Sequence, residues 1–152
     1  MIRRLPQFLA LAFVSLAICA GCSNSKTDPG KVVVKGKLLD NGKPLTLEPT
    51  KANLPKGAHG LPPGTAGAAI LQIVFISVES KEQTPAQTNL ETMTFEAQIK
   101  PGQYKIAVTA KFGFAPDTPD YFKGMYTPDK TQILRDIKGG EEILLDLTKP
   151  QG

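Results

Sequence analysis

Two runs of alternating residues, joined by a Pro-Gly step, occupy the centre of this 152-residue chain. In the first, Met93, Phe95, Ala97 and Ile99 alternate with Thr94, Glu96 and Gln98. In the second, Tyr104, Ile106, Val108 and Ala110 recur at every other position. A period of two lines up every second side chain on one face of a strand, so both apolar sets are expected to face inward. Between the runs, Lys100-Pro101-Gly102-Gln103 reads as a tight turn, with proline fixing one φ and glycine free to take a positive one.

The rest of the chain offers further strands. Residues 32–39 open with three valines, a β-branched start that favours the extended state. Asn41-Gly42 follows, a pair that tolerates the positive φ values of a type I′ hairpin turn. Pro44 and Leu45 then resume an extended path, where proline suits an edge or a strand start. Residues 70–78 are apolar at nearly every position, which fits a strand buried on both faces or covered on one of them. Residues 131–137 and 142–148, separated by Gly139-Gly140, supply two more. Nothing after the N-terminal segment shows a helical period. The expected fold is all-β, an antiparallel β-sandwich of about seven strands over residues 31–149. Residues 46–69 break the pattern: eight of these 24 are Gly or Pro. They read as a mobile insertion rather than a functional loop.

The first twenty-two residues carry an address. Arg3 and Arg4 precede an apolar run, residues 8–20, interrupted only by Ser15, and no acidic residue comes before Asp28. The run has signal-peptide length and falls short of the ~20 apolar residues of a membrane span. Ile18-Cys19-Ala20-Gly21-Cys22 closes it and resembles a bacterial lipobox, with Cys19 where an aliphatic residue is usual. The resemblance implies cleavage before Cys22 and attachment of diacylglycerol to its thiol. Residues 1–21 are then a helical lipoprotein signal peptide, and residues 22–30, small and polar with Pro29-Gly30, a flexible tether. The expected location is the bacterial cell envelope. There the membrane is a partner through lipidated Cys22, and the domain lies on the periplasmic or extracellular side.

Composition narrows the chemistry. Cys19 and Cys22 are the only cysteines, so the domain itself has no disulfide framework, Cys-x-x-Cys redox pair or two-cysteine zinc site. The net charge of +4 includes Arg3 and Arg4, and the chain beyond them carries +2. That balance leaves no electrostatic footprint for nucleic acid.

Two segments together resemble a known family. Val34-Lys35-Gly36-Lys37 with Asn41-Gly42-Lys43-Pro44-Leu45 is similar to the opening hairpin of carboxypeptidase-regulatory-like (transthyretin-like) β-sandwich domains. Phe95 to Ile99 with Pro101-Gly102-Gln103-Tyr104 and the aliphatic alternation after it resembles their central hairpin. The stretch from Tyr126-Thr127-Pro128 to Leu147 is similar to the end of small lipoproteins of planctomycete bacteria. The resemblance covers most of residues 31–148 and speaks to packing and turns rather than activity. It departs at Thr88-Asn89-Leu90-Glu91-Thr92, where the family often places an Asp and a Gly, and in the length of the 46–69 insertion. The fold-related hydroxyisourate hydrolases use several histidines, and this chain has one.

Candidate chemistry is sparse. A nucleophilic triad needs a positioned base, and His59 lies in the Gly/Pro-rich insertion beside Gly60. Asp117, Asp120 and Asp129 form the best oxygen-ligand cluster, in a Pro-rich loop with no calcium-loop spacing. No catalytic residue, metal or cofactor is assigned. One concentration remains: Phe112, Phe114, Tyr121, Phe122, Met125 and Tyr126 fall within fifteen residues. These residues either plug the sandwich or form a platform for a glycan or an envelope protein. Tyr121, Phe122 and Tyr126 are the candidate contact surface. In an extended segment adjacent side chains point opposite ways, which places Phe122 inside and Tyr121 at the surface. The functional expectation is a lipid-anchored, non-enzymatic structural or binding module. The alternatives are an accessory carbohydrate-binding module and a metal-dependent enzyme built on the Asp117/Asp120 loop.

Overall fold

Alternation does produce strands on either side of Pro101-Gly102, but they lie in different sheets. The computed structural model describes residues 28, 30–48 and 69–147. The signal segment with Cys22, most of the tether, residues 49–68 with His59, and residues 148–149 lie outside these. Nine strands occur among the described residues: β1 (Val32–Asp40), β2 (Lys43–Pro44), β3 (Ala69–Ser77), β4 (Gln83–Pro85), β5 (Gln87–Asn89), β6 (Thr94–Ile99), β7 (Gly102–Phe112), β8 (Leu134–Ile137) and β9 (Glu142–Asp146). One sheet runs β2-β1-β6-β5 with β9 also on β1, and the other runs β4-β3-β7-β8. The architecture is the expected all-β sandwich.

The central hairpin is instead an arch. β6 pairs with β1 and β5, whereas β7 pairs with β3 and β8. Lys100 and Pro101 therefore carry the chain from one layer to the other. An arch opposes the two apolar sets across the core, where a hairpin would set them side by side. Phe95, Ala97 and Ile99 are buried from one layer, and Tyr104, Ile106, Val108 and Ala110 from the other. Leu71, Ile73 and Phe75 of β3 and Val34, Leu38, Ile143 and Leu145 of β1 and β9 complete the core. Phe75 stands at its middle, with ring centroids 6.0 Å from Phe95 and 6.1 Å from Tyr104. Full burial of each such side chain stabilises by about 1.5–3 kcal/mol. Met93, expected inward, sits half-buried in the turn before β6 with φ of 51°.

The Asn41-Gly42 step forms the expected turn, with φ of 51° and 76°, and joins β1 to the two-residue β2. Two features were not expected. Residues 83–89 start as β4 on β3, then cross at Ala86 to become β5 on β6. The Ala86 N–H donates to the Ile73 carbonyl at 2.9 Å, and the Thr88 hydroxyl donates to the Leu71 carbonyl at 3.2 Å. One polar segment thus closes that side of both sheets. The second feature is that β9 pairs with β1 in parallel, Lys35 opposite Glu142 through Leu39 opposite Asp146, while every other pair is antiparallel. The reason is directional. β8 ends where β7 begins, at Ile137 opposite Gly102, and the short turn after it starts β9 at the end where β1 also starts.

Gly36 lies between β6 and β9, opposite Phe95 on one side and Ile143 on the other. A Cβ built there overlaps the Phe95 ring and the Ile143 carbonyl oxygen. The ring lies over the glycine and fills the space that a side chain would take. Gly36→Ala is expected to destabilise by about 1–3 kcal/mol through overpacking, and Phe95→Ala by about 3–5 kcal/mol. Because the two share one space, the double variant should lose measurably less than the sum in chemical denaturation. Strict additivity would contradict the overlap.

Candidate functional site

The aromatic segment is best built from β7 outward. One edge of β7 pairs with β3 along most of its length, from Tyr104 opposite Ser77 to Phe112 opposite Ala69. The other edge meets a regular strand only over four residues, in β8. Beyond them the backbone groups of Ile106, Val108 and Ala110 need partners, because buried amides and carbonyls are costly when unpaired. The connection 113–133 supplies them. Ile133 O accepts from the Ile106 N–H, and Tyr126 O from the Val108 N–H, each at 2.9 Å. The Thr131 hydroxyl donates to the Ile106 carbonyl at 2.6 Å, and the Tyr121 N–H to the Ala110 carbonyl at 2.7 Å.

Asp120 completes this edge with its side chain. One carboxylate oxygen accepts from the Ala110 N–H at 2.8 Å and the other from the Gly124 N–H at 2.7 Å. Its own carbonyl accepts from the Lys123 N–H at 3.0 Å. This is the double use of an aspartate at a turn that pairs a side chain with nearby backbone. Asp117 and Asp129 are exposed. Among the described residues no three His, Cys, Asp or Glu side chains come together in a way that could hold a metal ion. The Asp117/Asp120 loop is thus organised around backbone pairing.

The rings follow the same path. Phe122 is 7% exposed and belongs to the core, and Tyr121 and Tyr126 are half-buried against it. Phe122 lies inside as expected, so within the contact candidates it has no free face. Tyr121 does not point the opposite way, because residues 121–126 run in turns and not as an extended strand. Tyr121 and Phe122 meet edge to face at 5.3 Å and 85°, and Phe122 meets Tyr126 at 5.6 Å and 75°. Phe112 joins through Tyr121 at 6.1 Å. Each such pair contributes about 0.5–1.5 kcal/mol beyond burial. The Tyr126 hydroxyl donates to the Leu147 carbonyl, just past β9. The segment therefore ties β7 of one sheet to the end of β9 in the other.

The exposed apolar residues are different ones. Phe114 is 87% exposed and Met125 57% exposed. Sequence reasoning grouped them with the buried rings because spacing along an irregular loop carries no facing information. Elsewhere, a groove of about 420 Å³ on the β1, β5, β6 and β9 sheet is lined by Lys35, Gln87, Asn89, Thr94, Glu96 and Glu142. Its charges are largely matched, Lys35 to Glu96 at 3.4 Å and neighbouring Lys37 to Glu142 at 2.9 Å.

Burial raises the phenols of Tyr104 and Tyr126 above the usual tyrosine value. The charge of Glu82 adds to the rise at Tyr104, against the backbone hydrogen bond to Lys100, and Asp146 adds to it at Tyr126.

No family model matches the chain, and no curated protein does. Among solved structures it is similar to a DUF3823 family protein from Parabacteroides merdae, at 20% identity and a TM-score of 0.38. The match covers 78% of this chain and 46% of that one, so this chain spans less than half of that protein's length.

Two outcomes follow from this geometry. Phe122→Ala is expected to cost about 3–5 kcal/mol, and Asp120→Ala, which strands two amides, about 2–4 kcal/mol. Phe114→Ala and Asp117→Ala should stay within about 0.5 kcal/mol of wild type, as read by urea melts. An Asp120→Ala melt matching wild type would remove the carboxylate from its backbone role. The second concerns pH. A phenol whose folded-state pKa is raised ionises first in the unfolded chain, so its contribution is complete below the unfolded value, about 10, and is lost as pH rises above it. The melting temperature should fall on the alkaline side of that value, and less steeply in Tyr126→Phe.

Proposed function

We propose that this chain is an envelope lipoprotein whose β-sandwich is a non-enzymatic structural or binding module, held to a bacterial membrane through lipidated Cys22. The observation that carries the reading is the order Arg3-Arg4, apolar run, Ala20-Gly21-Cys22, then a short polar stretch. The first strand begins at Val32, ten residues after that cysteine. Two further observations support a packing and binding role over a catalytic one. Asp120 spends both carboxylate oxygens on backbone amides, and the groove charges are matched in pairs.

The geometry also distinguishes two ends. Val32 pairs with Ile99 at the arch, where β7 begins, and β7 runs eleven residues, about 33 Å, before reaching Phe112. The strand start nearest Cys22 and the Phe114 loop therefore lie at opposite ends of the sandwich. An envelope protein or glycan approaching the Phe114 end meets that exposed ring before the buried Phe122.

Each buried methylene contributes about 0.8 kcal/mol, so the several acyl chains of a lipidated cysteine hold a protein where one chain does not. In a bacterial host, Cys22→Ala should abolish incorporation of labelled palmitate and move the protein out of the detergent phase. A variant that still labels and partitions like wild type overturns the reading.

A further inference from the structure

We propose that Asn41 is a latent site of spontaneous modification, by succinimide formation and deamidation, and that the Asp146 carboxylate at the end of β9 holds the reaction in check. An asparagine followed by glycine has the least hindered backbone nitrogen on its C-terminal side. The Gly42 nitrogen attacks the side-chain carbonyl carbon of Asn41, an N–C bond forms, and the side-chain amide leaves as ammonia, taking the proton lost from the attacking nitrogen. Water then opens the cyclic imide to aspartate or isoaspartate. The Asn41-Gly42 turn is exposed, so water has access to it.

The turn is restrained at the atoms that must react. The Gly42 N–H donates to one oxygen of Asp146 at 2.9 Å, and the Asn41 N–H to the other at 3.1 Å. Attack requires that nitrogen to lose its proton. A carboxylate is far too weak a base to take an amide proton, and its negative charge disfavours the anion that attack needs. The side-chain amide of Asn41 donates to Asp40 at 3.2 Å, which fixes the leaving group as well. This arrangement exists only while β9 lies on β1, where Leu39 pairs with Asp146. Modification is therefore coupled to detachment of the last strand. It also reinforces that detachment, because conversion of Asn41 sets three carboxylates, at positions 40, 41 and 146, around one turn.

The test uses the full chain at mildly alkaline pH, following position 41 by peptide mass and by enzymatic methylation of isoaspartate. A charge-assisted hydrogen bond to the attacking nitrogen corresponds to about tenfold or more in rate. Asp146→Asn is expected to deamidate at Asn41 at least about tenfold faster than wild type, while Asp146→Glu, which keeps the charge, stays closer to wild type. Equal rates in Asp146→Asn and wild type, both folded by circular dichroism, overturn the proposal. If Asp146→Asn does not fold, wild type decides between folded protein and the same protein in denaturant. Faster reaction at Asn41 in denaturant supports protection by the fold, and equal rates refute it.

Discussion

Everything on one side of this sandwich depends on the second edge of β7. That strand is eleven residues long and lies in the core, so alternate amides and carbonyls on each edge must find partners. β3 satisfies one edge. No regular strand covers most of the other, and a Pro-rich connection does so instead, with three backbone carbonyl and amide groups, one hydroxyl and one carboxylate. The connection is held against β7 by this pairing, and that is what seats Phe122 and Tyr126 over the gap between the sheets. The aromatic cluster is thus a consequence of backbone chemistry as much as of ring burial.

The opposite side is closed by a different device. The segment 83–89 gives its first half to one sheet and its second half to the other, with Ala86 bonded at the crossing. Edge strands invite pairing with other chains, and a short strand shared by two sheets presents little length for that. Between the two closures, Gly36 sets how closely β1, β6 and β9 approach. The Phe95 ring and the Ile143 carbonyl occupy the place of its missing side chain.

What the sequence made legible was local. The alternation from Phe95 to Ala110 marked the strands and the inward face, and the Asn41-Gly42 step its turn, because both follow from properties of adjacent residues. Gln83-Thr84-Pro85-Ala86-Gln87-Thr88-Asn89 gave no strand signal, since its extended state comes from hydrogen bonds to β3 and β6. The Pro101-Gly102 step marked a reversal but not whether it stays within a sheet, which is decided by where the facing apolar sets find partners. Phe122 was legible as a core residue. The contact of its ring with Tyr121 was not, because it depends on the chain turning at 121–122 instead of extending. Asp120 looked like a ligand for the same reason that it works as a cap: a short acidic side chain in a turn.

The parallel pairing of β1 with β9 has a kinetic meaning. Strand β1 is made early, yet one of its edges finds its partner only when residues 142–146 have been synthesised. Contacts so distant in sequence raise the loop-closure cost and slow folding. In the interval the Lys35–Leu39 stretch of β1 is an open edge, the state in which β-proteins aggregate. Lys35 and Lys37 interrupt that edge with charge directly after the valines, the placement that discourages intermolecular pairing. In the finished fold the same two lysines pair with Glu96 and Glu142. One pair of residues therefore guards the strand while it waits and fastens its neighbours once they arrive.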